Sequence, residues 1–233
     1  MSMLTLAIDT AANFCSACLY DTATRSVLSS EERDIGRGHA EQLMDVVSTA
    51  MRESGREFAD LGQVAVSVGP GSFTGIRVGV AAARGFALAL GIPAVGVTTL
   101  EAIADGALSA SGNKAVTVAI GGGRGQVFMQ SFGKDGVALT EPEAFDETEA
   151  GKAVPQQIGL LAGNAAADLG KRLARPVEIS PIGGATGAIE AFARLCGNSG
   201  RAPVPLYLRG ADAKPQDAFA LPRAEGGPVG AGR

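Results

Sequence analysis

Tryptophan is absent from this chain, histidine occurs once, at His39, and aromatic residues make up 5% of the 233 positions. A single imidazole excludes metal centres built on two or more histidines. Cysteine is nearly as scarce: Cys15 and Cys18 form a CxxC, and Cys196 is the third thiol. The pair falls in FCSACLY, which reads as a strand, whereas a redox CxxC opens a helix. Residues three apart on a strand face opposite ways, and three thiols cannot supply four zinc ligands, so packing roles are expected. Positive charge is in deficit, 20 Lys and Arg against 24 Asp and Glu. Broad capture of a nucleic-acid backbone needs a basic surface that releases counterions, so any RNA role is expected to be indirect. No apolar run reaches about 18 residues without a charge or breaker, which argues against a membrane span. The first residues lack a basic start, and Asp9 interrupts the apolar run Leu4 to Ile8, so a signal peptide is not expected either. The expected location is the cytoplasm.

What is present is a globular composition, 46% apolar with 33 glycines, long enough for one large domain or two lobes of about 100 residues each. The most informative stretch is GPGSFTGIRVGVAAARGFALAL, Gly69 to Leu90. The short β-branched run Val64 to Val68 precedes it and a helical pattern follows from Thr74, which is the setting of a phosphate loop. The chemistry of such a loop is missing, because Gly75 is followed by Ile76 and Arg77 where Lys and Ser/Thr would stand. A dinucleotide fingerprint fails as well: Thr74 takes the third glycine position and Pro70 removes a backbone N–H. The helix offers a different feature. Gly75, Gly79, Ala82, Ala83 and Ala87 recur three to four residues apart and leave one face nearly without side chains. An interior glycine costs about 1 kcal/mol of helix stability relative to alanine, so Gly79 and Gly85 point to close contact. The contact is either the protein's own sheet or a partner's helix.

Strands are expected at Leu4 to Asp9, Asn13 to Tyr20 and Arg25 to Arg33, followed by a helix over His39 to Glu53. Leu43, Met44, Val47, Ala50 and Met51 form the apolar stripe of that helix, and Gly55 is its C-cap candidate. Strand Val64 to Val68, the helix from Thr74 to Leu90, strand Ala94 to Val97 and helix Leu100 to Leu108 complete a first lobe, 1–110. A looser copy follows in a second lobe, 111–209, with strands at Ala115 to Ile120, Gln126 to Phe132, Val137 to Glu141 and Gly159 to Ala162. Helices are expected there over Ala165 to Ala174 and Ala188 to Cys196. From 210 to 233 the composition turns to Gly, Pro, Ala and charge, which suggests a solvated tail.

The runs AIDTAANFCSACLY, GRGHAEQLMDVV, GPGSFTGIRVGVAAARGFALAL with GIPAVGVTTLEAIA, and PLYLRGADAK resemble the TsaB family, bacterial partner proteins of tRNA threonylcarbamoyladenosine synthesis. The resemblance is strongest over residues 3 to 105 and returns at Pro205 to Lys214. It implies an α/β fold of the actin, Hsp70 and sugar-kinase type, with a duplicated unit in two lobes. It also implies a non-catalytic role: the related subunit TsaD transfers a threonylcarbamoyl group to N6 of the adenosine beside the anticodon, in tRNAs reading codons that start with A. Family members bind TsaD through two first-lobe helices, self-associate through similar surfaces, and work with the ATPase TsaE. Here the matching interface residues are Leu43, Val47 and Met51 on the first helix and Gly75, Gly79, Ala82, Ala83 and Phe86 on the second. No cofactor of its own is implied; ATP and a metal enter the complex through the partner.

The catalytic relatives carry an HxxxH pair on the first-lobe helix, whereas His39 is followed four residues later by Leu43, so no metal site of that kind can form. Asp9 and Thr10 stand where this fold class has its first phosphate loop, and the carboxylate could hold a hydrated magnesium. The following AANF turn lacks the glycines that would surround a phosphate. Gly121 to Gly125 reads as a hairpin, and IGGATG at 182–187, ahead of a helix, is the better anion candidate or a plain turn. One departure stands out: the family's Asp-Ala-Arg-Arg-Gly-Glu-Val-Tyr pattern appears as IGGGRGQVF, which keeps Arg124, Gly125 and Val127 but neither acidic group. The alternative reading is a stand-alone ATP-dependent phosphotransferase of the same fold, resting on Asp9, Thr10 and a cleft between lobes.

Overall fold

The computed structural model describes residues 3–112 and 114–208. The expected tail from 210 onward, and the end of PLYLRGADAK, lie outside the described residues.

Three antiparallel strands open the chain, β1 (Leu4–Asp9), β2 (Phe14–Asp21) and β3 (Ser26–Asp34). They are followed by α1 (His39–Ser54), β4 (Leu61–Ser67), α2 (Phe73–Leu90), β5 (Ala94–Val97) and α3 (Thr99–Ala110). These strands form one sheet in the order β3-β2-β1-β4-β5, with β4 parallel to β1 and β5 parallel to β4. The second half supplies β6 (Val116–Gly123), β7 (Gln126–Phe132), β8 (Glu143–Asp146), β9 (Leu160–Ala162), α4 (Ala166–Arg172), β10 (Glu178–Ile179) and α5 (Ile189–Ser199). Its sheet runs β10-β9-β6-β7-β8, the same order read from the other edge. The duplication is thus real at the level of topology. It is incomplete in one place: a single 3-10 turn, Ala150–Ala153, stands where the first unit has α1.

Local chemistry explains the element ends. Gly55 and Gly91 close α1 and α2 in the left-handed conformation. Ser72 caps α2 by accepting from Gly75 N, and Thr98 with Glu101 makes a reciprocal capping box at the start of α3. The strand expected at Val137 to Glu141 is not a strand. Only a single bridge joins Phe132 to Ala138, and the chain pairs again with β7 at Glu143–Asp146. Thr140 is the cause, because its hydroxyl accepts from Ser131 N and its carbonyl from the Gln130 amide, replacing ladder bonds with side-chain ones.

Both faces of each sheet are covered, which is why β1, β2 and β6 read as nearly continuous apolar runs. On the first sheet, α1 and α2 bury Leu43, Val47, Met51, Ile76 and Val80 against Leu6, Ile8 and Val66. The opposite face is covered by α5, with Ile189, Phe192 and Cys196 packed on Ala7, Cys18 and Ala65. On the second sheet α3 packs Leu100, Ile103 and Leu108 onto Val116, Val118 and Phe132. The terminal helices are therefore exchanged: the last helix of each half covers the sheet of the other half. The expected boundary at 110/111 separates the sheets but not the packing units, and residues 201–208 also return to the first lobe, where Leu206 N donates to the Val68 carbonyl at 2.8 Å.

Candidate functional site

Two places were singled out by the sequence, the small-residue face of α2 and the turn after β1, and they turn out to be the same place. A Cβ on Gly75 would run into the Thr10 carbonyl oxygen, and one on Gly79 into the Thr10 hydroxyl. The Thr10 hydroxyl donates to the Gly75 carbonyl at 2.8 Å, so the bare strip lets α2 lie directly on the end of β1. Gly75, Gly79 and Ala83 are buried within their own lobe, as are Leu43, Val47 and Met51 of α1. Those six expected interface residues are corrected to core residues: the close approach they permit is to this chain's own backbone and sheet. Ala82 and Phe86 are half-buried, and Phe86 stacks on Phe58 with ring centroids 5.5 Å apart.

The solvent side of the same two helices carries what the sequence reading passed over. Met44, expected in the buried apolar stripe of α1, is instead 52% exposed, and on α2 Phe73 is 54% and Leu88 86% exposed. Phe73, Arg77, Ala81, Arg84 and Leu88 follow one another at three- and four-residue spacing along the outer face of α2. Gly85 lies on the exposed side too, and a Cβ there would meet nothing within 4 Å. The signal was available in the spacing of Phe73, Arg77 and Leu88, masked by the more regular glycine and alanine repeat. By length and composition α2 could cross a bilayer; its glycine strip is packed on β1, however, and Arg77 and Arg84 occupy the exposed side.

Between the lobes lies a cleft of about 830 Å³, lined by Ala11 to Phe14, Gly71, Ser72, Gly121 to Gly123, Asn164 and Gly184 to Ala188 among others. Asp9 and Thr10 do not open onto it as ligands. Asp9 is 2% exposed; its Oδ1 accepts from Ala11 N at 2.9 Å and its Oδ2 from the Thr186 hydroxyl at 2.5 Å. The carboxylate thus ties the first lobe to the 182–187 loop of the second. Gly187 is held close as well, since a Cβ would lie 2.6 Å from the Ala102 backbone. IGGATG is therefore a spacer threaded between lobes, and α5 behind it starts without a side-chain cap. The Gly121 to Gly125 segment is the expected hairpin, with Arg124 at φ 54° and Gly125 at φ 74°, and Gly121 N donates to Asn164 Oδ1 at 2.9 Å.

A metal-nucleotide of the kind this fold class handles does not fit these residues. The carboxylate that would hold the metal's water has both oxygens engaged inside the protein, and the turn after it has alanines in place of glycines. Among the described residues no cluster of three or more His, Cys, Asp or Glu is placed to hold a metal. His39, 7% exposed, faces inward at the start of α1, its Nε2 within 2.9 Å of the Ala12 carbonyl and 3.2 Å of that of Phe14. It secures the turn after β1. The three thiols are buried, Cys15 and Cys18 in the cores on opposite faces of the first sheet. Burial pushes Cys15 and Cys196 up to about 11 and Cys18 up to about 12.

Two sheets of matching order, joined by crossed helices around a central cleft, define a two-lobed α/β protein of the actin, Hsp70 and sugar-kinase fold class. Comparison with known proteins narrows this. The family model described as "TsaD: tRNA N6-adenosine threonylcarbamoyltransferase" matches residues 29–207. The "tRNA threonylcarbamoyladenosine biosynthesis protein TsaB" of Escherichia coli is 34% identical over 64% of this chain and 62% of its own length. An uncharacterised protein of Mycobacterium tuberculosis is 34% identical over 90% of this chain and 93% of its own. A crystal structure of a YeaZ-like protein from Pseudomonas aeruginosa superposes with TM-score 0.76 at 26% identity, covering 89% of this chain and 100% of that one. The chain belongs to the family that this TsaD model describes, and within it is similar to the TsaB and YeaZ proteins. It spans less than two thirds of the length of the Escherichia coli and Buchnera TsaB relatives, 62% and 65%.

Proposed function

We propose that this protein is a non-catalytic partner in tRNA threonylcarbamoyladenosine synthesis, docking a TsaD-type catalytic subunit on the outer face of α1 and α2. A TsaE-type ATPase completes the assembly, ATP and metal belong to the other subunits, and the work takes place in the cytoplasm. The observation that carries the reading is Leu88, 86% exposed on a helix whose opposite face is already packed. Together with Met44 on α1 and Phe73 on α2 it leaves large apolar side chains exposed on both helices, with Arg77 and Arg84 set between Phe73 and Leu88, a mixture that protein interfaces favour. Gly85 supports the same reading: an interior helix glycine with nothing near it in its own lobe leaves room for a close partner backbone.

Leu88→Asp should abolish co-elution with the purified TsaD-type subunit of the same organism while circular dichroism and the melting temperature stay unchanged. An intact complex would remove this face from consideration. Depleting the protein and measuring threonylcarbamoyladenosine in total tRNA by mass spectrometry tests the pathway itself, and unchanged levels would refute it. The phosphotransferase alternative predicts tight calorimetric binding of ATP with magnesium that Asp9→Ala removes. The engagement of both Asp9 oxygens weighs against that outcome.

A further inference from the structure

The segment 201–208 is bound into the first lobe at both ends. At its start, Gly96 N donates to the Arg201 carbonyl at 2.8 Å, and the Arg201 guanidinium grips both Glu101 oxygens, at 2.7 and 2.9 Å. Near its end Leu206 N donates to the Val68 carbonyl. Gly96 makes room for it, since a Cβ there would lie 2.9 Å from the Ala202 carbonyl. One residue beyond Leu206, Tyr207 reaches the outer face of α2. Its hydroxyl accepts from Arg77 Nε at 2.7 Å, its ring lies 5.2 Å from that of Phe73, and the same guanidinium sits 3.8 Å above the Phe73 ring.

A surface arginine ordinarily samples many rotamers, and a partner that binds it must order it first. Here the guanidinium carbon sits over one ring and its Nε is committed to a hydroxyl 130 residues away. Phe73 and Tyr207 remain about half exposed, at 54% and 46%, so the assembled cluster is presented to solvent. It continues the stripe that runs through Arg84 to Leu88.

We infer that Tyr207 is a positioning residue for docking: the 201–208 strap fixes Arg77 against Phe73 and so preorganises one end of the α2 face. The partner surface that fits it offers a carboxylate to the guanidinium edge and an apolar side chain to the Phe73 ring. The inference rests on the docking reading above and adds to it a residue that orders one end of the α2 face.

The test has two arms. In the lone protein, nitrogen-15 NMR should give Arg77 a discrete, slowly exchanging Nε–H signal that Tyr207→Phe, which keeps the ring, removes. A wild-type protein without that signal overturns the clasp. In calorimetry against the TsaD-type subunit, Tyr207→Ala and Arg77→Ala should each weaken binding about five- to tenfold. The double variant should be no worse than the weaker single one, because Tyr207 acts through Arg77. Additive losses, or unchanged affinity in Tyr207→Ala, overturn the positioning role. If the wild type does not bind at all, the docking reading falls and takes this role with it, while the NMR arm still reports whether the clasp exists.

Discussion

Glycines at different positions of one helix have opposite meanings. At Gly75 the added methyl of alanine would meet a carbonyl oxygen of the β1 end, which cannot move without displacing the sheet. Gly75→Ala should therefore destabilise the protein by about 1 to 3 kcal/mol in denaturant titrations. Gly85→Ala meets open space and removes a poor helix former, so it should stabilise the lone protein by up to about 1 kcal/mol. If Gly85 contacts a partner backbone, the same substitution weakens docking, and the two readouts move in opposite directions. The thiols give a second prediction at this scale. Desolvation holds Cys15, Cys18 and Cys196 at about 11 to 12, so native protein at pH 8 should react with a thiol reagent only on the timescale of unfolding.

Among the elements, those with a strong period were readable in advance: β1, β5 and β7 have the expected bounds, and α1 and α2 differ by a single residue at one end. The exception at Val137 to Glu141 opens with an apolar run but keeps a single bridge to β7, the rest of its ladder being replaced by side-chain bonds at Thr140, an effect invisible in the sequence pattern. The glycine strip was also legible as a place of close approach. Whose backbone approaches was not, because small residues make the same vacancy for a strand of the same chain and for a stranger. At the junction of α3 with the strap, burial opposes ionisation of Glu101, but the Arg201 guanidinium and the Thr98 donors outweigh it and hold the carboxyl below its usual range. A lowered folded value means that this tie contributes fully above the unfolded pKa of about 4.3 and is lost as pH falls through the folded one. Glu101→Gln should therefore lower the melting temperature at pH 7 and flatten its decline below about pH 4, measured by scanning calorimetry.

Across the molecule, the Asp9 bond to Thr186 links the first turn of one lobe to the loop of the other. Thr186→Val should speed amide hydrogen exchange around Gly183 to Ala188 while leaving the cores of both sheets protected. If exchange there is unchanged, the link does not limit lobe motion. The exchange of α3 and α5 between sheets has a larger reach. As the polypeptide leaves the ribosome, the opening sheet has one side sealed by α1 and α2, yet its other side stays oily and uncovered until Ile189 to Cys196 have emerged, about a hundred residues after β5 is complete. Neither half is a self-sufficient folding unit, so a protein cut near residue 110 should aggregate, and separately made halves should become soluble only when produced together.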